Sequence, residues 1–405
     1  MNICSINLRN FNGPKRKMAW ISFCLVFLSF SCQQKKKETD FDKEKSSIQS
    51  SAHHDLRAFH VPIQFAINFR IDYFKNYKLI SLLNPNQKND TLQKYILSED
   101  TSALGHMRNQ GTFVQIPVKS AICLSSLYAA YMEKLNLLEN LIAVDDHRYI
   151  NSLAILQHIK KNKLMDVGDI SKVNVEKILL LHPDLIFTYL PPKGISQLEE
   201  IFKNKSIFAY TLDQDEASPL GRAEWILFVA AFFNQEKQAS IFFNEMAQRY
   251  MLLKKQIQAN SLHPSVFTGI KYGDTWYMPA GNSYLANLIA DAGGNYIWKK
   301  DGHTGSLNLN WEEVYQKASQ ADFWIHVSSF STLHEVESAD PRYANFKAFK
   351  MKNIFNNIAR VNADGGNDYW EAGMLNPDLL LADLINIFHP ELKENHRLLY
   401  YKKIQ

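Results

Sequence analysis

The chain reads as an α/β protein of two similar lobes joined by one long helix, and three observations predict this. The first is an internal echo. Asn174-Val175-Glu176-Lys177 opens an apolar helix that leads through Pro183-Asp184 into Leu185-Ile186, and Asn310-Trp311-Glu312-Glu313 opens another that leads through Asp322 into Phe323-Trp324-Ile325. Each stretch has an Asn cap, a carboxylate in the first helical turn, then an Asp and an apolar strand. The second observation is a rhythm of short strands and helices on both sides of the chain's middle, which predicts mostly parallel sheets covered by helices. The third is an uninterrupted helical zone between these two halves.

Taken in order, residues 59–83 alternate apolar and polar around Phe65, Ile67, Phe69, Ile71 and Tyr73 and continue through 79–83 to the turn Asn84-Pro85-Asn86, predicting a hairpin that leads the first lobe. Strand 118–124, helix 126–135, strand 142–144, helix 173–181 and strand 185–190 follow. Pro219 then starts a helix whose Trp225, Phe228 and Phe232 read as core. After Asn234 a second helix carries Ala239, Phe242, Met246, Tyr250, Leu253 and Ile257 three and four residues apart. At 1.5 Å per residue it is roughly 35 Å long, enough to cross a domain. The rhythm resumes at 266–270, 284–292, 322–327 and 354–361 and ends in a helix at 377–388. The expected organisation is therefore a first lobe over 59–218, a connecting helical segment over 219–260 and a second lobe over 261–405. Two related lobes place a ligand in the cleft between them.

The first 31 residues predict a signal peptide. Lys15, Arg16 and Lys17 precede an apolar run at 18–30 that is too short for a bilayer core of about 30 Å. Leu28-Ser29-Phe30-Ser31-Cys32 resembles a bacterial lipoprotein processing site, with a small residue before Cys32, although Ser29 and Phe30 depart from the usual pattern. Cys32 is the expected lipidation site, with plain secretion or an uncleaved anchor as alternatives. From Gln33 to about Ser51 the chain is Lys, Glu, Asp, Ser and Gln with almost nothing to bury, and residues 32–58 read as a solvated, lipidated tether. The expectation is an extracytoplasmic lipoprotein, held to a membrane in the periplasm by its lipid.

Charge and cysteine usage narrow the class. The chain has 45 Lys and Arg against 41 Asp and Glu, and the four bases Arg9, Lys15, Arg16 and Lys17 leave with the leader, so the remainder is neutral. A nucleic-acid partner, which calls for a basic face, is not expected. Of the four cysteines, Cys4 and Cys24 lie in the leader and Cys32 at the lipid site; Cys123, between Ile122 and Leu124, reads as a small buried hydrophobe. No Gly-x-Ser-x-Gly, His-Glu-x-x-His or Walker loop is present, so an enzyme is not expected and any transport must be energised by a partner.

Several segments, in this order and spacing, resemble the substrate-binding proteins of bacterial ABC importers for cobalamin, siderophores and haem. They are residues 117–126 (PVKSAICLSS), the Asn-Val-Glu to Pro-Asp-Leu-Ile stretch, residues 219–225 (PLGRAEW), residues 272–277 (YGDTWY), Asp291-Ala292-Gly293-Gly294, and Asn367-Asp368-Tyr369-Trp370-Glu371. The resemblance spans about residues 60–390. It implies two Rossmann-like lobes that move little, because one helix resists hinge bending. It also implies a bulky metal chelate as ligand, no covalently bound cofactor, no protein-held metal ion, and a two-fold ABC transporter permease as partner.

The ligand-binding candidates combine aromatic faces with placed polar groups. Trp276 and Tyr277, and Asn367, Tyr369, Trp370 and Glu371, fall on expected strand-end loops of the second lobe. Ser125, Ser126 and Tyr128 fall at a strand-to-helix turn whose free N–H groups suit an anionic group. Arg222 and Glu224 either face the cleft or form a structural pair. The resemblance further implies that Glu176 and Glu312 each dock on a transporter subunit; the plainer reading is that they offset the helix dipole, worth ~0.3–1 kcal/mol. Alternatives are a Zn or Mn binding protein, a surface lipoprotein that captures chelates without an importer, and a hydrolase on the same frame.

Overall fold

The computed structural model describes residues 60–405 apart from 88, 101–106, 108, 169–171, 190–199, 201, 203–205, 259–261 and 393–395. The expected leader, Cys32 and the whole of the tether lie outside the described residues. Two five-stranded sheets form the lobes. In the first, β5 (Ala121–Cys123), β6 (Leu141–Val144), β7 (Met165–Asp166), β8 (Leu185–Tyr189) and β9 (Ile207–Thr211) are all parallel and ordered β7-β6-β5-β8-β9. In the second, β10 (Ser265–Thr268), β13 (Asn295–Tyr296), β15 (Phe323–Ile325), β16 (Ile354–Asn356) and β17 (Lys402–Lys403) are ordered β13-β10-β15-β16-β17, with only β17 antiparallel. Both are doubly wound orders, with the chain reversing direction across the sheet beside its first strand, β5 in one lobe and β10 in the other. Cys123 is fully buried in β5, as a small hydrophobe.

The sequence echo occupies equivalent places in the two sheets. Helix Val175–Leu181 precedes β8, which pairs with β5; helix Trp311–Ala318 precedes β15, which pairs with β10. Each helix is capped by its Asn, with Lys177 N donating to Asn174 at 2.9 Å and Glu313 N to Asn310 at 2.8 Å. The shared Asp does the same work twice. Asp184 accepts from Ser120 N at 3.0 Å while its own N–H donates to Ser120 Oγ at 3.0 Å; Asp322 accepts from Ser265 N at 2.8 Å while its N–H donates to Ser265 Oγ at 3.0 Å. In both lobes this reciprocal Ser–Asp pair ties the entry of the echoed strand to the entry of the sheet's first strand.

The connecting helix runs from Glu236 to Gln258 and buries Ala239, Phe243, Met246, Tyr250 and Ile257. Lys78, buried in the first lobe, forms an ion pair with Glu236 at the helix start and donates to Asn234 Oδ1 at 2.7 Å. Near its other end Tyr250 Oη donates to Asp291 at 2.7 Å and Lys254 pairs with the same carboxylate at 2.7 Å. One helix is thus fixed to both lobes by buried or half-buried polar contacts as well as by packing.

The hairpin expected at the start of the first lobe is half of a larger unit. β1 (Phe69–Tyr73), β2 (Lys78–Leu83), β3 (Thr91–Ser98) and β4 (Thr112–Gln115) form a separate sheet in that order. Phe69 and Tyr95 pack on Trp225, Phe228 and Phe232, with ring centroids 4.6 Å apart for Phe69–Trp225 and 5.7 Å for Tyr95–Phe232. Two buried carboxylates staple the segment that enters this sheet. Glu224 accepts from the N–H groups of Gln64, Phe65 and Ala66 at 2.7–2.8 Å, and Glu216 from those of Ile67 and Asn68 at 3.0 Å and from Trp225 Nε1 at 3.2 Å. No helix among the described residues is long and apolar enough to cross a membrane.

Candidate functional site

In a parallel sheet the carboxyl ends of the strands form one edge, and in both lobes this edge borders the same cavity. The cavity holds about 750 Å³ and is lined by Ser126 and Tyr149 from the first lobe and by His326, Ser328, Asn357, Val361, Asn367 and Trp370 among others from the second. Ser126 follows β5 and His326 follows β15, so each stands where its sheet reverses strand order, the usual ligand position in doubly wound folds. Two other concavities of similar size lie beneath the N-terminal sheet, around Lys119 and Asp184, and against the connecting helix, where Gln238 and Ile241 face Lys134 of the first lobe and Leu375 of the second. Neither is bordered by the carboxyl edges of both sheets.

The cleft surface is aromatic, aliphatic and hydroxyl-rich. Trp370 is 51% exposed and Tyr149 41%, so both present ring surface, and Val361 adds aliphatic surface. Ser126, Ser328, Ser329 and Ser331, the amides of Asn357 and Asn367, and Lys402 supply polar groups. Asn367 is locked in place, its side chain donating to Asn357 O at 2.9 Å and accepting from Tyr369 N at 3.0 Å. His326 is held with φ +59° and Ser328 with φ +58°, left-handed backbone that non-glycine residues seldom adopt and that costs about 1 kcal/mol or more at each position. The His326 ring lies 2.7 Å from the Tyr401 hydroxyl, and burial pushes its pKa down to about 3, so it meets the cleft as neutral imidazole.

The sequence-predicted residues divide sharply. Ser126, Asn367 and Trp370 line the cavity. Ser125 sits beside it but spends its hydroxyl capping the following helix through Leu127 N at 3.3 Å. Tyr128 is core, not cleft: its hydroxyl lies 2.6 Å from Thr211 Oγ1 and 3.0 Å from Asp213, and burial raises its pKa. Trp276 is likewise core, with no exposed surface and its Nε1–H donating to Thr268 O at 2.9 Å; residues 275–279 form a strand whose even-numbered side chains turn inward. Tyr277, the next residue, is exposed and is not part of the cavity wall. Tyr369 is buried behind Trp370, with its ring edge against that indole at 4.8 Å. Glu224 is neither a ligand group nor Arg222's partner; it is the staple for residues 64–66. Arg222 instead lies 3.4 Å from buried Asp213 and 5.5 Å from the centroid of the Tyr284 ring.

Glu371 turns away from the cavity and toward the first lobe. It accepts from Asn151 N at 2.6 Å, Asn151 Nδ2 at 3.2 Å and Ser152 N at 3.1 Å, and burial raises its pKa to about 7 against the opposing effect of these donors. Glu176 and Glu312 are exposed in the first turns of the echoed helices. A helix preceding a parallel strand runs back along the sheet, so both helices begin at the carboxyl edge, on the cleft side of their lobes. Sequence reasoning missed Tyr149, His326, Ser328 and Asn357. Each follows the end of a sheet strand, and the order of the strands, which would have marked those ends, is settled only by pairing.

This is the architecture of a two-lobed ligand-binding protein with a single connecting helix and a ligand cleft between the carboxyl edges of its sheets. The sequence profile of the periplasmic binding protein family matches residues 122–357, and the chain belongs to that family, whose members work outside the cytoplasm. An uncharacterized lipoprotein of Methanocaldococcus jannaschii is 30% identical over 310 residues, covering 72% of this chain and 70% of its own. Among solved structures, CeuE of Helicobacter pylori with Ni(II) bound is 16% identical with a TM-score of 0.53, covering 70% of this chain and 88% of its own. The periplasmic haem-binding protein HutB of Vibrio cholerae is 17% identical with a TM-score of 0.51, covering 65% of this chain and 98% of its own. These two likenesses carry the fold.

Proposed function

We propose that this protein is an extracytoplasmic lipoprotein that binds a chelate of iron or cobalt, of the siderophore, cobalamin or haem type, between its lobes and delivers it to an ABC importer. The observation that carries the reading is the cleft itself: indole, phenol and aliphatic surface facing a ring of hydroxyls and amides, with one lysine. Such a wall suits a large ligand that is apolar on its faces and polar at its rim. The CeuE and HutB likenesses agree with this class of cargo. Among the described residues no group of three or more His, Cys, Asp or Glu could hold a metal ion, which favours a chelate over bare Zn or Mn as cargo.

Glu176 and Glu312 suit docking on a two-fold permease. They occupy equivalent helix starts on the cleft side of the two lobes, and an Asn cap leaves each carboxylate exposed for an arginine of the partner. Lipid at Cys32, joined by the 32–58 tether, would hold the protein near that partner. Purified chain is mixed with haemin, cyanocobalamin, a ferric siderophore or Zn²⁺, and melting temperature and tryptophan fluorescence are read. A rise in melting temperature and quenching of fluorescence with one of the three chelates supports the reading; stabilisation by Zn²⁺ alone overturns it. Charge reversal at Glu176 and Glu312 together is expected to abolish uptake while leaving chelate affinity unchanged, and a loss of affinity would contradict the docking role.

A further inference from the structure

Beyond the connecting helix, the lobes are bonded to each other at Asn287, whose amide donates to Ala217 O at 3.0 Å, and by a larger set of contacts beside the cleft. Residues 361–367 form a short loop closed by an antiparallel bridge between Val361 and Asn367. Asn362 organises it, accepting from Asp364 N at 3.0 Å and Gly366 N at 2.8 Å, and its amide donates across the lobe boundary to Arg148 O at 2.9 Å and Ile150 O at 3.0 Å. Glu371, one helical turn beyond the loop, accepts from the next first-lobe residues, Asn151 and Ser152. Gly366 lies between them, so close that a Cβ there would stand 2.4 Å from Arg148 O and 2.9 Å from Tyr149 Cα. One amide and one carboxylate of the second lobe therefore grip the continuous stretch 148–152 of the first.

The placement of this grip matters because of its neighbours. Tyr149, held between the gripped Arg148 and Ile150 carbonyls, and Trp370, beside Glu371, are the Tyr and Trp that line the cavity, one from each lobe. The turn carrying Tyr149 is itself made rigid from below, where Asp146 caps it through Arg148 N at 2.9 Å. Buried, multiply bonded carboxylates are costly to strand without their donors, so such a contact selects one geometry strongly.

We propose that Glu371, Asn362 and Gly366 form an interlobe clasp that closes one side of the cleft and sets the spacing between Tyr149 and Trp370. Glu371 is a positioning residue, acting on the ligand only through the lobe geometry it holds. The cleft is left to open on the side away from the clasp, and a ligand is gripped between two rings whose separation is fixed before it arrives. This inference concerns the ligand-free protein and stands whether the cargo is a chelate or not.

The test reads lobe separation directly. Ketone-bearing unnatural residues are placed at exposed Lys160 and Gln316, one in each lobe, coupled to nitroxides, and the interlobe distance is measured by pulsed electron resonance in the wild-type chain and in Glu371→Ala, Gly366→Ala and Asn362→Ala. The expected result is a narrow distribution in the wild type and longer, broader distances in each variant, with Gly366→Ala shifting it although no hydrogen-bonding group is removed. Haemin titration accompanies it, and where haemin binds the wild type, the variants are expected to bind at least about ten-fold more weakly through faster release. Unchanged distances in folded Glu371→Ala and Gly366→Ala overturn the clasp; Asn362→Ala, the mildest change, decides the matter if either of the others fails to fold. A wild-type chain that ignores haemin speaks against haem as cargo, and the distances alone then decide whether the clasp exists.

Discussion

Glu216 offers a quantitative check on how the N-terminal segment is fastened. Burial, with Glu224 nearby adding to it, raises its carboxyl from 4.5 to about 7 despite three hydrogen-bond donors. A carboxyl raised in this way keeps its proton in the folded protein where the unfolded chain has lost it. Its contribution to stability is fully present below about pH 4.5 and disappears as pH rises through 7. The shift, from 4.5 to about 7, is worth about 3 kcal/mol. The wild-type profile alone does not isolate it, because His326 acts in the opposite direction: an imidazole lowered to about 3 contributes stability present above pH 6.5 and lost as pH falls. Glu216→Gln supplies a neutral side chain of the same shape, so the difference between wild type and variant at each pH cancels His326 and the other distant groups. Urea unfolding, followed by tryptophan fluorescence between pH 5 and 8.5, is expected to show the wild type losing ground to the variant by about 1.4 kcal/mol per pH unit up to pH 7, then levelling. Coupling to Glu224 spreads this slope over a wider range. A difference that is flat, or that grows in favour of the wild type as pH rises, would refute the raised pKa and show that the N–H donors outweigh burial at this carboxyl.

Glu224→Ala strands three backbone donors in a buried place and is expected to destabilise the fold by about 2–4 kcal/mol in the same urea assay, with Glu224→Gln milder because its amide oxygen still accepts. Trp276→Ala is expected to cost about 3–5 kcal/mol while leaving chelate affinity of the folded fraction intact, since the indole fills the second lobe's core. Trp370→Ala is expected to do the reverse: a half-exposed ring costs little in melting temperature, and its loss removes most of the chelate-induced quenching.

What the sequence made legible is what repeats locally. The Asn caps, the first-turn glutamates and the apolar strands of the two echoed stretches are set by neighbours within a dozen residues, so spacing alone found them and the two lobes they begin. The Ser–Asp reciprocity of Ser120 with Asp184 and Ser265 with Asp322 was not legible, because each pair is separated by more than fifty residues and only strand pairing brings it together. The same limit misplaced the aromatics. Trp276 and Tyr277 are adjacent in sequence, and only the pleat of strand β12 (Thr275–Pro279) decides that the first is buried and the second exposed. Charged residues misled for a related reason: Glu224 and Glu371 looked like ligand groups because carboxylates are seldom buried, yet both serve backbone N–H groups more than 150 residues away.

Those two glutamates show how a small cleft motion is built into the chain. Three buried carboxylates, Glu216, Glu224 and Glu371, replace regular strand or helix pairing at places where one segment must join another without continuing a sheet. The first two fix the entry of the N-terminal sheet onto the first lobe; the third joins the lobes to each other beside the cleft. A contact made of packed side chains yields by degrees, whereas a carboxylate holding two or three N–H donors is either satisfied or exposed to a penalty of several kcal/mol. With the connecting helix tied to both lobes through Glu236 and Asp291, and the cleft edge held by Glu371, rotation of one lobe against the other strains the hydrogen-bonded contacts at one site or the other. The lobes are therefore expected to hold a single spacing in the free protein, so that the shape of the ligand, more than its ability to draw the lobes together, decides what the cleft accepts.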